Sequence, residues 1–130
     1  MKIMVGYDGS SDAKAALEVA LQHVKAFKGK LFLVSSMAKG TEEEQEQIKN
    51  IEKELTLLKS DLEAQGIACE THLLIRGMES GEDLVRYAEE QGIEEIIIGI
   101  RRRSKVGKLL FGSTAQYVIL NAQCPVVTVR

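Results

Sequence analysis

Short apolar runs alternate with longer amphipathic ones from one end of this chain to the other, and that alternation limits the fold more than any other feature. The first run, Lys2–Gly6, ends in the turn-rich Tyr7-Asp8-Gly9-Ser10. Ala13, Ala16, Leu17, Ala20, Leu21 and Val24 then recur at three and four residues, which predicts a helix that Gly29 stops. Leu31-Phe32-Leu33-Val34 is continuously apolar, as a strand covered on both faces should be. From Glu42 to about Gln65 runs the longest helix, with Ile48, Ile51, Leu55, Leu58 and Leu62 in one stripe and Gly66 as its stop. The stripe has heptad spacing but is too short for a coiled coil, so it is read as docking on a sheet.

The second half repeats the pattern. Ala68–Ile75 reads as a strand with polar interruptions at Glu70, Thr71 and His72, and Glu79–Gln91 as a helix with Leu84, Val85 and Ala88 inward and Gly92 as stop. Glu95–Ile100 is a strongly apolar strand, Ser113–Ala122 a helix with Ala115, Val118, Ile119 and Ala122 on one face, and Val126–Val129 a last strand after Pro125. Strands separated by helices are parallel neighbours joined by crossovers. The expected fold is therefore α/β and doubly wound: a five-stranded parallel sheet of order 3-2-1-4-5 with helices on both faces. Ligands of such sheets sit beyond the carboxyl ends of the strands, at the switch point. Two loops flank it, Tyr7 to Asp12 and Gly99 to Gly112.

A length of 130 residues suits one domain, residues 1–130. Apolar residues at 45% and charged residues at 28% argue against wholesale disorder, and a net charge of −2 gives no bulk attraction to nucleic acid or acidic membranes, so any anion site is local. No apolar run is long enough to cross a bilayer, and the start lacks the pattern of a signal peptide. A cytoplasmic location is the expectation. Cys69 and Cys124 form no C-x-x-C and are read as small buried thiols.

The segment from Gly99 to Thr114 holds three glycines, at 99, 107 and 112, and five cations, Arg101, Arg102, Arg103, Lys105 and Lys108. It leaves a buried strand and enters a helix at Gly112-Ser113. Free N–H groups at a helix start attract anions, and Gly112 permits close approach. The alternative is a solvated basic loop with Ser113 as a plain N-cap. Asp8 faces the same crevice, placed to bond a ribose hydroxyl or hold Mg2+, or to close an Asx-turn before the first helix. His23 and His72 have no nucleophile beside them and are read as structural or exposed. Glu42-Glu43-Glu44 is a solvated helix start, favoured by the dipole. No H-E-x-x-H, clustered metal ligands or G-x-S-x-G occur.

Taken together, Lys2-Ile3-Met4-Val5-Gly6-Tyr7-Asp8-Gly9-Ser10 at one end, and Gly112-Ser113-Thr114-Ala115-Gln116-Tyr117-Val118 with Ala122-Gln123-Cys124-Pro125-Val126-Val127-Thr128-Val129 at the other, resemble the universal stress protein family. Its nucleotide-binding members carry Gly, two residues, Gly, nine residues, Gly, then Ser or Thr. Gly99, Gly112 and Ser113 match, and Arg102 stands in place of the second glycine. The resemblance implies ATP or AMP as ligand, with Mg2+ in company. It implies a ribose or metal contact at Asp8 beside Tyr7, phosphate contacts at Gly112, Ser113 and Thr114, and an adenine contact near Ser36. Arg102 either clamps phosphate, for which its planar fork of donors is suited, or plugs the site.

The family is usually dimeric and linked to stress survival. Val126-Val127-Thr128-Val129, apolar and at a sheet edge, is the expected homodimer strand. Dedicated catalysis is not expected, since no positioned base and no P-loop lysine motif occur, and slow ATP hydrolysis would be incidental. The competing reading is a stress dimer without nucleotide that works through an unknown protein partner. Other doubly wound classes fit worse. A dinucleotide oxidoreductase wants G-x-G-x-x-G after its first strand, a flavodoxin a hydroxyl-rich loop where only Ser10-Ser11 stands, and a response regulator an aspartate where Arg76-Gly77-Met78 stands. RNA binding through Arg101-Arg102-Arg103 lacks interleaved aromatics.

Overall fold

Nine elements follow one another in a computed structural model that describes residues 1–38, 41–100 and 112–130. They are β1 (Lys2–Gly6), α1 (Ser11–Phe27), β2 (Lys30–Ser36), α2 (Glu42–Ala64), β3 (Cys69–Leu74), α3 (Ser80–Gln91), β4 (Glu95–Gly99), α4 (Ser113–Asn121) and β5 (Val126–Val129). All strand pairs are parallel, as the alternation predicts, and the sheet has the expected order β3-β2-β1-β4-β5.

Side chains of a strand alternate between faces, so the central strands feed two cores. Ile3, Val5, Leu31, Leu33 and Ile97 point to the face covered by α1 and α2, where Ala16, Ala20, Leu55 and Leu62 meet them. Met4, Phe32, Val34, Ile96 and Ile98 point to the other face, against Leu84, Ala88, Ala115 and Val118 of α3 and α4. The polar interruptions of β3 have a physical reason in the same frame. This strand is a sheet edge, and beyond Cys69 its side chains are only half-buried. There Glu70 pairs with Lys30 at 2.5 Å and with His72 at 3.0 Å, which holds its carboxyl below the usual range.

Three local expectations change. The stop of α1 is Lys28, which takes the left-handed conformation at φ 51°. Gly29 follows it for a different reason: a Cβ there would lie 2.7 Å from the carbonyl oxygen of Met1. Ile119 does not join the inward face of α4. It is 39% exposed, and Tyr117 and Leu120 beside it are exposed too. At the start of α4 the N-cap is Gly112, so Ser113 is the first helical residue and not the cap. Among the described residues, no helix is long and apolar enough to cross a membrane. Both cysteines are free, Cys69 buried and Cys124 half-buried.

Candidate functional site

The sheet opens where its connections change sides. From β1 the chain turns to α1 on one face, whereas α4, which follows β4 in sequence, lies on the other. Pairing of β1 with β2 continues to Gly6↔Val34, but pairing with β4 ends at Val5↔Ile97. Beyond that point lies a cleft of about 370 Å³, within the range of small-molecule sites.

Glycines shape its walls. At Gly6 a Cβ would stand 3.1 Å from Leu84 Cδ1, so the bare backbone lets α3 close over the strand end. Gly99 packs on α1 so tightly that a Cβ would run into the backbone carbonyl of Asp12. Val34, Leu84 and Ile98 give the cleft an apolar floor. At one end Gly112, Ser113 and Thr114 line it with the first turn of α4. Its N-cap Gly112 has no side chain to cap the turn, which holds no acidic residue, whereas Asp12, Glu42–Glu44, and Glu82 with Asp83 occupy the first turns of α1, α2 and α3. Among the described residues, the first turn of α4 thus lacks the negative charge that the other three helices carry in theirs.

The structure brings Tyr7, Asp8, Ser36, Gly99, Gly112, Ser113 and Thr114 to this one cleft. Arg102, with the rest of the basic run from Arg101 to Lys108, lies outside the described residues. Asp8 is exposed and its Oδ1 accepts a hydrogen bond of 2.9 Å from the Ser10 amide, which is the Asx-turn. Asp8 also lines the cleft. Ser10 in turn caps α1, its hydroxyl accepting from the Ala13 amide at 3.1 Å. Tyr7 is only 3% exposed and donates its hydroxyl to Glu54 Oε1 at 2.6 Å. Burial, with Glu54 beside it, raises its pKa well beyond the ordinary tyrosine range. Tyr7 therefore fixes the β1 loop against α2 and offers the cleft no free proton. Among the described residues, no group of three or more His, Cys, Asp or Glu is placed to hold a metal ion.

Where β2 meets α3 stands a polar cluster that sequence reasoning missed. Ser36 donates its hydroxyl to Asp83 Oδ2 at 2.7 Å. Asp83 has no exposed surface. Arg76 Nε donates to Asp83 Oδ1 at 2.5 Å, its Nη2 to the Asp83 carbonyl at 3.2 Å, and its Nη1 to Glu90 at 2.9 Å. Burial alone would lower the Arg76 pKa, but the hydrogen bonds to Asp83 and Glu90 outweigh it and raise it. Ser80 donates its hydroxyl to the Ser36 carbonyl at 2.8 Å and lines the cleft with it.

The profile of the universal stress protein family matches residues 1–130. The chain belongs to the universal stress protein family. It is 30% identical to a universal stress protein of Thermus aquaticus, over 98% of this chain and 97% of that protein. The fold is similar to that of a universal stress protein from Archaeoglobus fulgidus, with a TM-score of 0.85 and 33% identity over 99% of this chain and 97% of that one. A universal stress protein of Archaeoglobus fulgidus solved in complex with dAMP is 29% identical, with a TM-score of 0.79 over 99% of this chain and 96% of that one. The five-stranded order is thus that of the family.

Proposed function

We propose that this universal stress protein binds an adenine nucleotide, ATP or AMP, in the cleft beyond β1 and β4. The observation that carries the reading is the pairing of two unlike surfaces in one cavity. One is the acid-free first turn of α4 at Gly112-Ser113-Thr114, and the other is an apolar floor of Val34, Leu84 and Ile98 with Ser36 beside it. A phosphate matches the first and a purine base the second. Asp8 lines the same cleft, its carboxylate suited to a ribose hydroxyl or to Mg2+ carried in by the nucleotide. The site residues are Tyr7, Asp8, Ser36, Gly99, Gly112, Ser113 and Thr114, with Arg102 as a clamp on the phosphates. The relative solved with dAMP supports the ligand class. Binding serves a stress response without a dedicated catalytic group.

Titration calorimetry tests it. Wild type should bind AMP and ATP, and Gly112→Val should abolish binding with circular dichroism unchanged. Gly112 has φ −65° and ψ 158°, a conformation open to any residue, so valine adds bulk at the phosphate without backbone strain. Unchanged affinity in the variant would refute the cradle.

A second reading is favoured by a separate observation. β5 is a sheet edge, and α4 exposes Tyr117, Ile119 and Leu120 next to it in sequence. We propose that two chains pair along Val126, Val127, Thr128 and Val129, and this dimer stands with or without nucleotide.

A further inference from the structure

We infer that the space between the β1 loop and α2 is a second ligand site, separate from the cleft, and that it takes a small amphiphilic amine: one ammonium group on a short apolar body.

The site is a cavity of about 410 Å³, within the range of small-molecule sites. Tyr7, Asp8 and Ser36 form the wall that it shares with the cleft. From that wall the cleft continues to α3 and α4, and the cavity continues to α2. Gln47, Asn50, Ile51 and Glu54 line it at spacings of three and four residues, so they share one face of the helix. Ile51 is only partly buried: it packs on the core and also lines the cavity.

A glycine lets the helix and the loop come together. Gly9 has φ 82°, and a Cβ on it would lie 3.1 Å from Glu54 Oε2. The Glu54 carboxylate thus reaches the loop with both oxygens. Oε1 accepts from the Tyr7 hydroxyl at 2.6 Å, and Oε2 stands beside Gly9.

The chemistry of the lining decides the ligand. Every hydroxyl that lines the cavity has its proton committed inward: Tyr7 to Glu54, Ser35 to the Tyr7 carbonyl, and Ser36 to Asp83. The Met37 amide is committed to the Leu74 carbonyl at 2.9 Å. Asp8 and Glu54 only accept. Among the described residues, neither carboxylate is in an ion pair, and no Lys, Arg or His lines the cavity. The wall is therefore rich in acceptors and negative charge, with the Gln47 and Asn50 amides as its side-chain donors. An ammonium brings three N–H donors, no acceptor and a positive charge, which is what such a wall lacks. Met37 and Ile51 supply the apolar surface for the rest of the ligand. An anion would instead meet two like charges.

Phenethylamine is the probe, with phenethyl alcohol as its neutral counterpart and hydrocinnamate as its anionic one. An amide-resolved NMR titration reads affinity and place together, and it uses no nucleotide, so the result is independent of the reading above. Wild type should bind the amine about 5-fold or more tighter than the alcohol, and hydrocinnamate least. The shifts should fall at Gly9, Met37, Asn50 and Ile51, which line the cavity and not the cleft. Glu54→Gln keeps an oxygen for the Tyr7 hydroxyl and removes the charge, so the amine should lose most of its advantage while the alcohol binds as before. An alcohol that binds wild type as well as the amine does overturns the inference. So does an advantage that survives Glu54→Gln, or shifts confined to Ser80, Leu84 and Thr114 of the cleft. No shift at roughly 10 mM amine, beyond the weakest affinity worth calling binding, overturns it too. If Glu54→Gln does not fold, the wild-type order of the three probes and the place of the shifts decide alone.

Discussion

Replacing Gly81 with alanine probes how closely α3 and α4 must approach to form the cleft. A Cβ at this position would lie 2.7 Å from Tyr117 Cβ, 3.1 Å from Tyr117 Cγ and 3.2 Å from the carbonyl oxygen of Thr114. Carbon atoms pack at about 3.5–4.0 Å, so the two helices must separate by about 1 Å. Overpacking of that kind costs about 1–3 kcal/mol, and the helix propensity of alanine over glycine returns at most about 1 kcal/mol. Gly81 does not sit at positive φ, so no backbone strain enters. The net loss of about 1–2 kcal/mol corresponds to a fall in Tm of about 4–8 °C for a chain of this size. Differential scanning calorimetry of the two proteins measures it. A Gly81→Ala protein that melts at or above wild type would refute the packing argument, because propensity would then have won.

Other outcomes follow from the same structure. Thr128→Pro removes a backbone donor from the free edge of β5, because Pro125 and Val129 turn their carbonyls to β4, and sedimentation should show monomers where the wild type, at tens of micromolar, a concentration chosen only as roughly typical of weak dimers, is a dimer. A monomeric wild type contradicts the interface. Arg102→Ala should weaken ATP by about 1.5–3 kcal/mol and adenosine hardly at all, the scale of a charge-assisted bond. If Arg102→Gly instead gains affinity, the arginine is a plug. Burial pushes the Cys69 thiol up to about 11. At pH 8 its thiolate is roughly one part in a thousand, and Ellman's reagent should label it only as fast as the fold opens. Labelling at the rate of a free thiol would contradict that burial.

The fold was legible in the sequence because its signal is repeated. Each buried strand is a continuous apolar run and each helix shows a three-four spacing, which with the crossover rule makes the sheet parallel and doubly wound; the order 3-2-1-4-5 is one of the orders that rule allows. β3 was the weakest signal, and its Glu70, Thr71 and His72 belong to an edge that has only half a core to face. Ile119 failed because spacing alone does not say how wide a stripe the neighbouring helix covers. At the site, Asp8, Gly99, Gly112 and Ser113 were legible because a parallel sheet fixes where its strands end. The Ser36–Asp83–Arg76 cluster was not. Asp83 in a first helical turn looks like an ordinary dipole partner, and Arg76 looks like a solvated loop residue. Only the tertiary contact between the end of β2 and the start of α3 joins residues 47 apart. Gly81 was missed likewise, since its partner Tyr117 lies in another helix.

The central claim is that a nucleotide lies with its phosphate on the first turn of α4 and its base at Ser36. An amide-resolved NMR titration with AMP tests both ends at once. The account predicts the largest shifts at the Ser113, Thr114 and Ala115 amides, with a second group at Asp8, Ser36 and Ser80, all saturating at one dissociation constant. Shifts confined to other surfaces, or none at millimolar AMP, roughly the weakest affinity worth calling binding, would contradict it.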